Sequence, residues 1–180
     1  MISLKKLEEA DWELMIAWRS NPVIYEEGCY TQTEPLKWLE HYTWMLSRGV
    51  WWRFFMIWED DGITRPRKVG IVNFGQLDNW NPELNYYVGE ISLWGQDIGK
   101  DAVSFALCWL RLHGYCQVHT TVKDGNERSI NLLKSLGFAL QGQARKGETR
   151  WNLVLSDKDE ATEYTSGREP FMGIEGVKNG

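Results

Sequence analysis

One long amphipathic helix near the middle of the chain constrains the fold more than any other feature. Apolar residues recur there at helical spacing, at Ile98, Ala102, Phe105, Trp109 and Leu112. Gly114 follows, at a position where helices commonly end on a left-handed residue. A helix with such a stripe must bury it against another element. The sequence therefore predicts a helix over residues 98–112 that packs on the core.

Strand candidates lie on both sides of this helix. Three precede it and are joined by short turn-rich segments, at Trp51 to Trp58, Lys68 to Leu77 and Glu83 to Gly89. Short connections of this kind are typical of an antiparallel meander. A further strand around Val118, Thr120 and Val122 follows the helix. The sequence therefore predicts one strand–helix–strand crossover attached to a mainly antiparallel sheet.

The ends of the chain supply further elements. We expect a strand at 2–7, a helix capped by Asp11 that ends before Asn21-Pro22, and a helix that starts at Thr33 to Pro35. The second helix has its stripe at Leu36, Leu39, Thr43 and Leu46, and ends at Gly49. A short helix from Asn126 to Gly137 and strands at 138–143 and 150–155 complete the pattern. The predicted fold class is α+β, with a mixed central sheet flanked by helices.

Composition narrows the class of protein. The length of 180 residues fits one domain, which we place at residues 1–156, and residues 157–180 read as a polar tail without a core of its own. A net charge of −5 argues against a nucleic-acid partner. No apolar run reaches the roughly 18 residues of a membrane span, and the start of the chain lacks a signal-peptide pattern. We therefore expect a cytoplasmic protein without a membrane partner.

Cysteines and histidines do not suggest a metal site or a disulfide framework. The three cysteines are odd in number and lack paired spacing, so we expect them to be reduced and buried: Cys29, Cys108 and Cys116. Cys108 lies beside the apolar stripe of the long helix, which favours a packed thiol over a nucleophile. The histidines lack metal-ligand spacing, and they are His41, His113 and His119.

A loop with Gly95 and Gly99 leads from the third meander strand into the long helix. Free backbone amides and the positive dipole end at a helix N-terminus suit a diphosphate, although two glycines also fit a simple tight turn. A nucleotide P-loop is excluded, because three residues separate the glycines and Asp101 replaces the Ser or Thr that would bind magnesium. The dinucleotide fingerprint fails because the preceding sheet is a meander.

Two motifs give a specific resemblance. Residues 94–102, WGQDIGKDA, are similar to the acetyl-CoA pyrophosphate loop of GNAT acetyltransferases. Residues 126–138, NERSINLLKSLGF, resemble the second GNAT signature, N-x-x-[SA] leading to L-G-F. Residues 18–22 are similar to a segment of the branch with ribosomal-protein and aminosugar acetyltransferases. The resemblance covers roughly residues 2–156 and implies the three-layer GNAT-like fold.

The resemblance implies acetyl-CoA as cosubstrate and assigns residues to it. The backbone near Val88 and Gly89 would face the pantetheine and stabilise the thioester oxyanion. Asn126 and Ser129 would flank the pantetheine arm. The backbone amides that would hold the pyrophosphate are those of Gly95, Gln96, Asp97, Ile98, Gly99 and Lys100.

The implied activity is N-acetyl transfer by direct attack of a primary amine, which requires a base. Glu83 opens the strand that leads to the loop, where many family members keep a glutamate, and it is our candidate. The alternative for Glu83 is a solvated carboxylate at a strand end, and Glu90 is a lesser candidate. The acceptor stays open among a small molecule, an aminosugar and a protein N-terminus, and exposed tryptophans would make a homodimer unsurprising.

Two residues depart from the family pattern. Asp97 stands where the family usually has glycine, so a carboxylate would lie near the phosphates, with Lys100 close enough to offset it. Leu133 stands where many relatives have a tyrosine that protonates the leaving thiolate, which leaves that task to Ser129 or water. A catalytically impaired binding or interaction module is therefore the competing interpretation.

Overall fold

A computed structural model describes residues 1–28 and 32–155. Its strands and helices are β1 (Ile2–Lys6), α1 (Trp12–Arg19), α2 (Pro22–Gly28), α3 (Trp38–Leu46), β2 (Arg53–Glu59), β3 (Arg67–Gly75), β4 (Glu83–Val88), α4 (Ile98–Leu112), β5 (Gln117–Lys123), α5 (Glu127–Ser135), β6 (Ala139–Arg145) and β7 (Glu148–Val154). Short 3₁₀ turns at Glu9–Asp11 and Ile91–Leu93 precede α1 and the loop before α4.

All seven strands belong to one sheet in the order β1-β2-β3-β4-β5-β7-β6. Every neighbouring pair is antiparallel except β4 and β5, which are parallel and joined through α4. The parallel pair is the expected result of a strand–helix–strand crossover. The prediction of an α+β fold with a mixed, mainly antiparallel sheet is confirmed.

Adjacent residues of the central strands point to opposite faces and divide the core in two. On β2, Phe55 and Ile57 face the layer of α4 and α5, whereas Met56 faces the layer of α1 to α3. On β3, Val72 and Ile71 divide in the same way. The result is three layers, with helices on both faces of the sheet.

The long helix is confirmed with the predicted bounds. Its inner face is fully buried at Ala102, Val103, Ala106 and Leu110. Leu112, the last residue of the predicted stripe, is 58% exposed. Leu112 is the final residue of the helix, and the buried stripe ends one turn earlier, at Trp109.

The N-terminal helices differ from the prediction. The first helix ends at Arg19, before Asn21-Pro22, as predicted. The prediction missed α2, which Pro22 opens, because proline is favoured in the first turn, where its missing N–H costs nothing. Asp11 does not cap α1 with its side chain, since it accepts a hydrogen bond from the Glu8 amide at 3.1 Å and pairs with Lys68 on β3. Its carboxylate therefore ties the helix entry to the sheet.

The predicted stripe of α3 is wrong. The helix starts at Trp38, and Leu39 and Leu46 are 69% and 62% exposed. The side that faces the core carries His41 and Met45, which are one turn apart and buried. Both sets have helical spacing, so periodicity could not choose between them, and packing on α1 and β2 selected the second.

Three smaller differences concern strand starts and cysteines. β2 starts at Arg53 rather than Trp51, and β7 starts at Glu148 rather than residue 150. Cys108 is buried as predicted, whereas the burial predicted for Cys116 is wrong, because this residue follows α4 in an exposed turn. Cys29 and the predicted tail at 157–180 lie outside the described residues. In the described ranges no helix is both long and apolar enough to cross a membrane.

We predict that Gly70→Ala destabilises the fold by about 3 kcal/mol, because the added methyl group overpacks the centre of the sheet. A Cβ on Gly70 would lie 2.4 Å from the Tyr87 carbonyl oxygen and 3.0 Å from Val88 Cα, which are backbone atoms that cannot move aside. Urea unfolding measures the change. Gly49→Ala is the matched control, because a Cβ there meets no atom within 4 Å. Equal stability of the two variants would contradict the prediction.

Candidate functional site

The candidate site begins where β4 and β5 part. β4 pairs with β3 along its whole length, from Gly75↔Glu83 to Gly70↔Val88. Its partner on the other side is β5, and the two meet at the single pair Glu83↔His119. Beyond this pair the edge of β4 that faces β5 is open. A wedge with Glu83 at its apex therefore lies between two parallel strands and leads toward the start of α4.

The loop before α4 presents unpaired amides at the mouth of this wedge. Gly95 and Asp97 adopt left-handed conformations, with φ of 83° and 59°. The first hydrogen bond of the helix runs from the Asp101 amide to the Asp97 carbonyl at 2.9 Å. The amides of Ile98, Gly99 and Lys100 consequently have no acceptor within the helix. With the helix dipole they form a site suited to an anion.

Gln96 differs from its neighbours in this loop. Its amide donates to the Leu93 carbonyl at 3.3 Å, and its side chain donates to the Ser92 carbonyl at 3.1 Å. Both groups therefore hold the loop itself in shape. Among the residues predicted for the pyrophosphate, Gln96 is the one whose amide already has a partner within the loop.

Gly99 allows α4, β4 and α5 to meet closely. A Cβ at this position would lie 3.3 Å from Leu132 Cδ1, 3.7 Å from Val88 Cγ2 and 3.8 Å from Tyr86 Cε2. Those distances show that Gly99 is surrounded by side chains of β4 and α5. The start of the helix is thereby held against the open edge of the wedge.

Asn126 and Ser129 lie together on the other side of the wedge, at the start of α5. The Asn126 side-chain oxygen accepts a hydrogen bond from the Ser129 amide at 3.1 Å and caps the helix. The Ser129 hydroxyl lies 2.8 Å from the hydroxyl of Tyr86 on β4. This contact spans the wedge and joins the two predicted cofactor-binding residues to the strand.

The backbone at the end of β4 is less open than the resemblance implies. The Gly89 amide donates to the Val69 carbonyl at 2.8 Å, and the Val88 carbonyl accepts from the Trp94 indole at 2.9 Å. Backbone groups alternate sides along a strand, so the Val88 amide points to the open edge. Trp18 packs on Gly89 so tightly that a Cβ there would lie 2.1 Å from the indole.

Arg128 connects the loop, α5 and α2. Its guanidinium lies 4.1 Å from the centre of the Trp94 ring, in a cation–π contact, and it pairs with Glu27. Both partners of the ion pair are about half exposed, so solvent screens it. A charged cleft of about 430 Å³ lies beside this pair and is lined by Glu26, Glu27, residues 123–125 and Asn126 to Arg128.

Glu83 lies at the apex of the wedge and is mostly buried. Burial raises the pKa of its carboxyl, and the Glu148 carboxylate adds to the rise. A hydrogen bond with Asn85 and the charges of Arg145 and Arg150 act in the opposite direction but are weaker. The carboxyl therefore gains a proton at a higher pH than an ordinary glutamate, as suits a general base near neutral pH.

Glu90, the lesser candidate for the base, lies at the other end of β4. Its carboxylate accepts a hydrogen bond from the Trp18 indole at 3.2 Å. His119 faces Glu83 from β5, and burial lowers the pKa of its imidazole. His119 is thus neutral at pH 7, and its Nδ1 lies 3.0 Å from the Asn81 carbonyl oxygen. Within residues 1–28 and 32–155, no cluster of three His, Cys, Asp or Glu residues could hold a metal ion.

Three residues of this site escaped the sequence analysis as site residues: Tyr86, Trp94 and Arg128. Tyr86 had a usable signal, because it lies two residues before Val88 on a strand and so shares its face. Trp94 lies within the quoted loop motif, but its bond to the Val88 carbonyl depends on how the loop between them turns back. Arg128 had no signal, since its contacts with Glu27 and Trp94 join distant segments. Leu133, by contrast, is fully buried in the core and presents no polar atom to the wedge.

Comparison with known proteins adds the following. Residues 2–139 match the family model described as acetyltransferase (GNAT) domain. An uncharacterized protein of Methanocaldococcus jannaschii is 44% identical over 156 residues, which are 86% of this chain and 31% of that protein. The chain therefore spans less than a third of that relative.

Solved structures support the same fold. A domain from Methanocaldococcus jannaschii is 42% identical with a TM-score of 0.82, and the match covers 86% of this chain and 99% of that one. Spermidine N-acetyltransferase from Vibrio cholerae, in complex with CoA and spermine, is 17% identical with a TM-score of 0.72 over 87% and 96% of the two chains. At that identity the likeness shows the fold alone.

We predict that Asp97→Gly tightens CoA binding about tenfold, since it removes a left-handed non-glycine residue and a negative charge beside the amides of α4. Asp97→Asn removes the charge and retains a residue that tolerates this conformation, so it separates the two causes. Calorimetric titration of each variant with CoA measures the effect. Unchanged affinity in both variants would show that the aspartate is tolerated.

Proposed function

Because the chain belongs to the GNAT acetyltransferase family, we propose that it is an N-acetyltransferase that transfers the acetyl group of acetyl-CoA to a primary amine by direct attack. The observation that carries this proposal is the open edge of β4, which runs from the carboxyl of Glu83 to the unpaired amides at the start of α4. A base and an anion site thus lie at opposite ends of one wedge.

Acetyl-CoA fits the residues of the wedge. The amides of Ile98, Gly99 and Lys100, with Gly95, would hold the diphosphate. Val88, Asn126 and Ser129 would hold the pantetheine arm. The cosubstrate supplies the thioester. Three of the predicted residues would contribute least to cofactor binding. The amides of Gln96 and Gly89 already donate to carbonyls of the protein, and Asp97 would bring a negative charge to the anion site.

Glu83 would take the proton of the attacking amine, directly or through water. Its partly enclosed position, beside His119 of β5, favours this role over that of a solvated carboxylate at a strand end. Burial raises the pKa of the carboxyl, as is common for catalytic bases. The Val88 amide would donate to the thioester oxygen as charge develops on it. Ser129 would contribute its hydroxyl at the sulfur end.

The acceptor is a small-molecule amine, an aminosugar or a protein N-terminus. The similarity of residues 18–22 to the branch with ribosomal-protein and aminosugar acetyltransferases supports the last two. The carboxylates of Glu26 and Glu27 along the charged cleft, together with the net charge of −5, favour a cationic amine. We place the activity in residues 1–156 of a cytoplasmic protein that acts as a monomer or homodimer, with 157–180 as a tail.

A second candidate function is a binding or interaction module that has kept the fold but lost the chemistry. Two observations favour it: the exposed, left-handed Asp97 in the anion site and the burial of Leu133. This candidate predicts that CoA does not raise the melting temperature of the protein, whereas a transferase must be stabilised by linkage. Thermal unfolding with and without CoA separates the two.

Acetyl transfer itself is tested by mixing the protein with acetyl-CoA and a panel of amines. The panel contains spermidine, glucosamine and a short peptide with a free N-terminus. We expect CoA thiol to be released with at least one of them, at a rate above hydrolysis without acceptor, because the wedge holds both a base and an anion site. Mass spectrometry of the acceptor identifies the product. No thiol release with any amine would count against the transferase.

Glu83→Gln should lower kcat/KM about 100-fold, the usual contribution of a general base. In the wild-type enzyme kcat/KM should fall tenfold per pH unit as the pH drops below the raised pKa of Glu83, because only the carboxylate accepts the proton. The variant should lose the limb set by Glu83 and keep only the limb set by the pKa of the amine, below which the attacking nitrogen is protonated. Glu90→Gln should keep both limbs, and loss of the lower one there instead would transfer the role to Glu90.

A further inference from the structure

We propose that the hydroxyl of Tyr86 is the catalytic group that gives a proton to the leaving sulfur, so that β4 supplies what the family usually takes from the position of Leu133. This proposal rests on the proposed function and deepens it. Ser129 then acts as the partner that orients the phenol. Neither water nor Ser129 alone has to serve as the acid.

The position of Tyr86 supports this role. Its side chain leaves β4 on the face of Val88, and its ring lies 3.8 Å from the Cβ position of Gly99 at the start of α4. Its hydroxyl is 2.8 Å from the Ser129 hydroxyl. The Ser129 amide is in turn held by the Asn126 side chain at 3.1 Å. The phenol thus lies between the three elements that would surround the pantetheine arm.

Helix geometry explains why a tyrosine on the strand can replace one on α5. Ser129 and Leu133 are four residues apart and lie on the same face of the helix. Side chains of a helix lean toward its N-terminus, so a tyrosine at position 133 would carry its hydroxyl over the turn that contains Ser129. Tyr86 places its hydroxyl at this turn from the opposite side. The hydroxyl keeps its location while the residue that supplies it changes.

The surroundings of Leu133 agree with a hydroxyl that comes from β4 and not from α5. It is fully buried among the apolar residues of the α4 and α5 layer. Burial of this kind stabilises α5 on the sheet, and the leucine brings no polar group to the wedge from that position. The only hydroxyl groups that meet at the N-terminal turn of α5 in the described residues are those of Tyr86 and Ser129.

Tyr86 has the right protonation state for a donor. Burial raises the pKa of its phenol to about 12, and the hydrogen bond with Ser129 acts against this rise. The phenol is therefore protonated throughout the neutral range and has a proton to give. Its proton can move to the sulfur as negative charge develops there, because burial also disfavours a free thiolate at that place.

The step balances as follows. The amine nitrogen forms a bond to the thioester carbonyl carbon, and Glu83 accepts the proton that the nitrogen loses. The carbon–sulfur bond breaks, its electron pair stays on the sulfur, and the Tyr86 proton moves to that sulfur. The phenolate regains a proton from water through the Ser129 hydroxyl, while Glu83 returns its own to solvent. One proton is taken and one is given, so the products are an amide and a thiol.

Tyr87 offers a matched control. It follows Tyr86 directly but points to the opposite face of β4, where its ring packs in the layer of α1 to α3. Its hydroxyl lies 3.4 Å from the Met15 carbonyl oxygen, on the far side of the sheet from Ser129. Tyr87→Phe removes the same atom as Tyr86→Phe from a neighbouring buried tyrosine and leaves the wedge untouched.

The experiment uses the full chain with two readouts. Tyr86→Phe should lower kcat about 100-fold and change the KM for acetyl-CoA less than about threefold, as expected for a group that acts at the transition state. In complexes of protein with free CoA, ultraviolet absorbance of the thiolate gives the pKa of the bound thiol. Without the phenol hydrogen bond this pKa should rise by about one pH unit in Tyr86→Phe. Tyr87→Phe should match the wild type in both readouts.

The outcomes separate the two proposals. Turnover in the wild type with unchanged kcat and thiol pKa in Tyr86→Phe would overturn the role of Tyr86 and leave the transferase intact. A Tyr86-dependent thiol pKa without turnover of any amine would support the contact with sulfur and sink the proposed function. Absence of CoA binding in the wild type would overturn both. Should Tyr86→Phe fail to fold, Ser129→Ala serves as the test. Loss of the hydroxyl that orients the phenol should raise the pKa of the bound thiol, by less than about one pH unit, and an unchanged thiol pKa would overturn the role of Tyr86.

Discussion

The separation of β4 from β5 after the single pair Glu83↔His119 determines the rest of the site. If the two parallel strands stayed paired, the backbone groups of β4 on that side would all be hydrogen-bonded to β5. Their separation exposes one edge of the strand, and α5 and the start of α4 then close around the gap from two sides. Gly99 lies where these elements meet, since a Cβ there would touch Val88 and Tyr86 and press on the end of the Leu132 side chain. Sheet pairing and helix packing thus produce the wedge together.

The alternation of side chains along β4 divides the chemistry between the two faces of the sheet. Glu83 and Tyr87 share one parity, and Tyr87 packs in the layer of α1 to α3. Tyr86 and Val88 share the other and pack with α4 and α5. In direct attack an amine reaches the carbonyl carbon from one side and the sulfur leaves on another. A single strand that passes between the two can place a base near the nucleophile and a hydroxyl near the leaving group.

Local patterns allowed the sequence to predict α4, the meander, the crossover and the two motifs, because each depends on spacing within a short segment. The face of α3 was not predictable, since Leu39 and Leu46 are seven residues apart, His41 and Met45 are four apart, and both spacings fit one face of a helix, so only packing distinguishes them. The contact between Tyr86 and Ser129 escaped for a related reason. It joins two segments whose approach is set by the whole sheet, not by the residues beside them.

Asp97 and Leu133 both depart from the family pattern, but their surroundings give them different weight. Asp97 is exposed at the start of α4, in a left-handed conformation and without a capping hydrogen bond from its side chain. Leu133 is absorbed into the core, and a hydroxyl from β4 lies at the turn where a tyrosine from that position would reach. In the proposed mechanism the first departure would lower the affinity for an anionic cosubstrate, and the second would only change which element donates a proton.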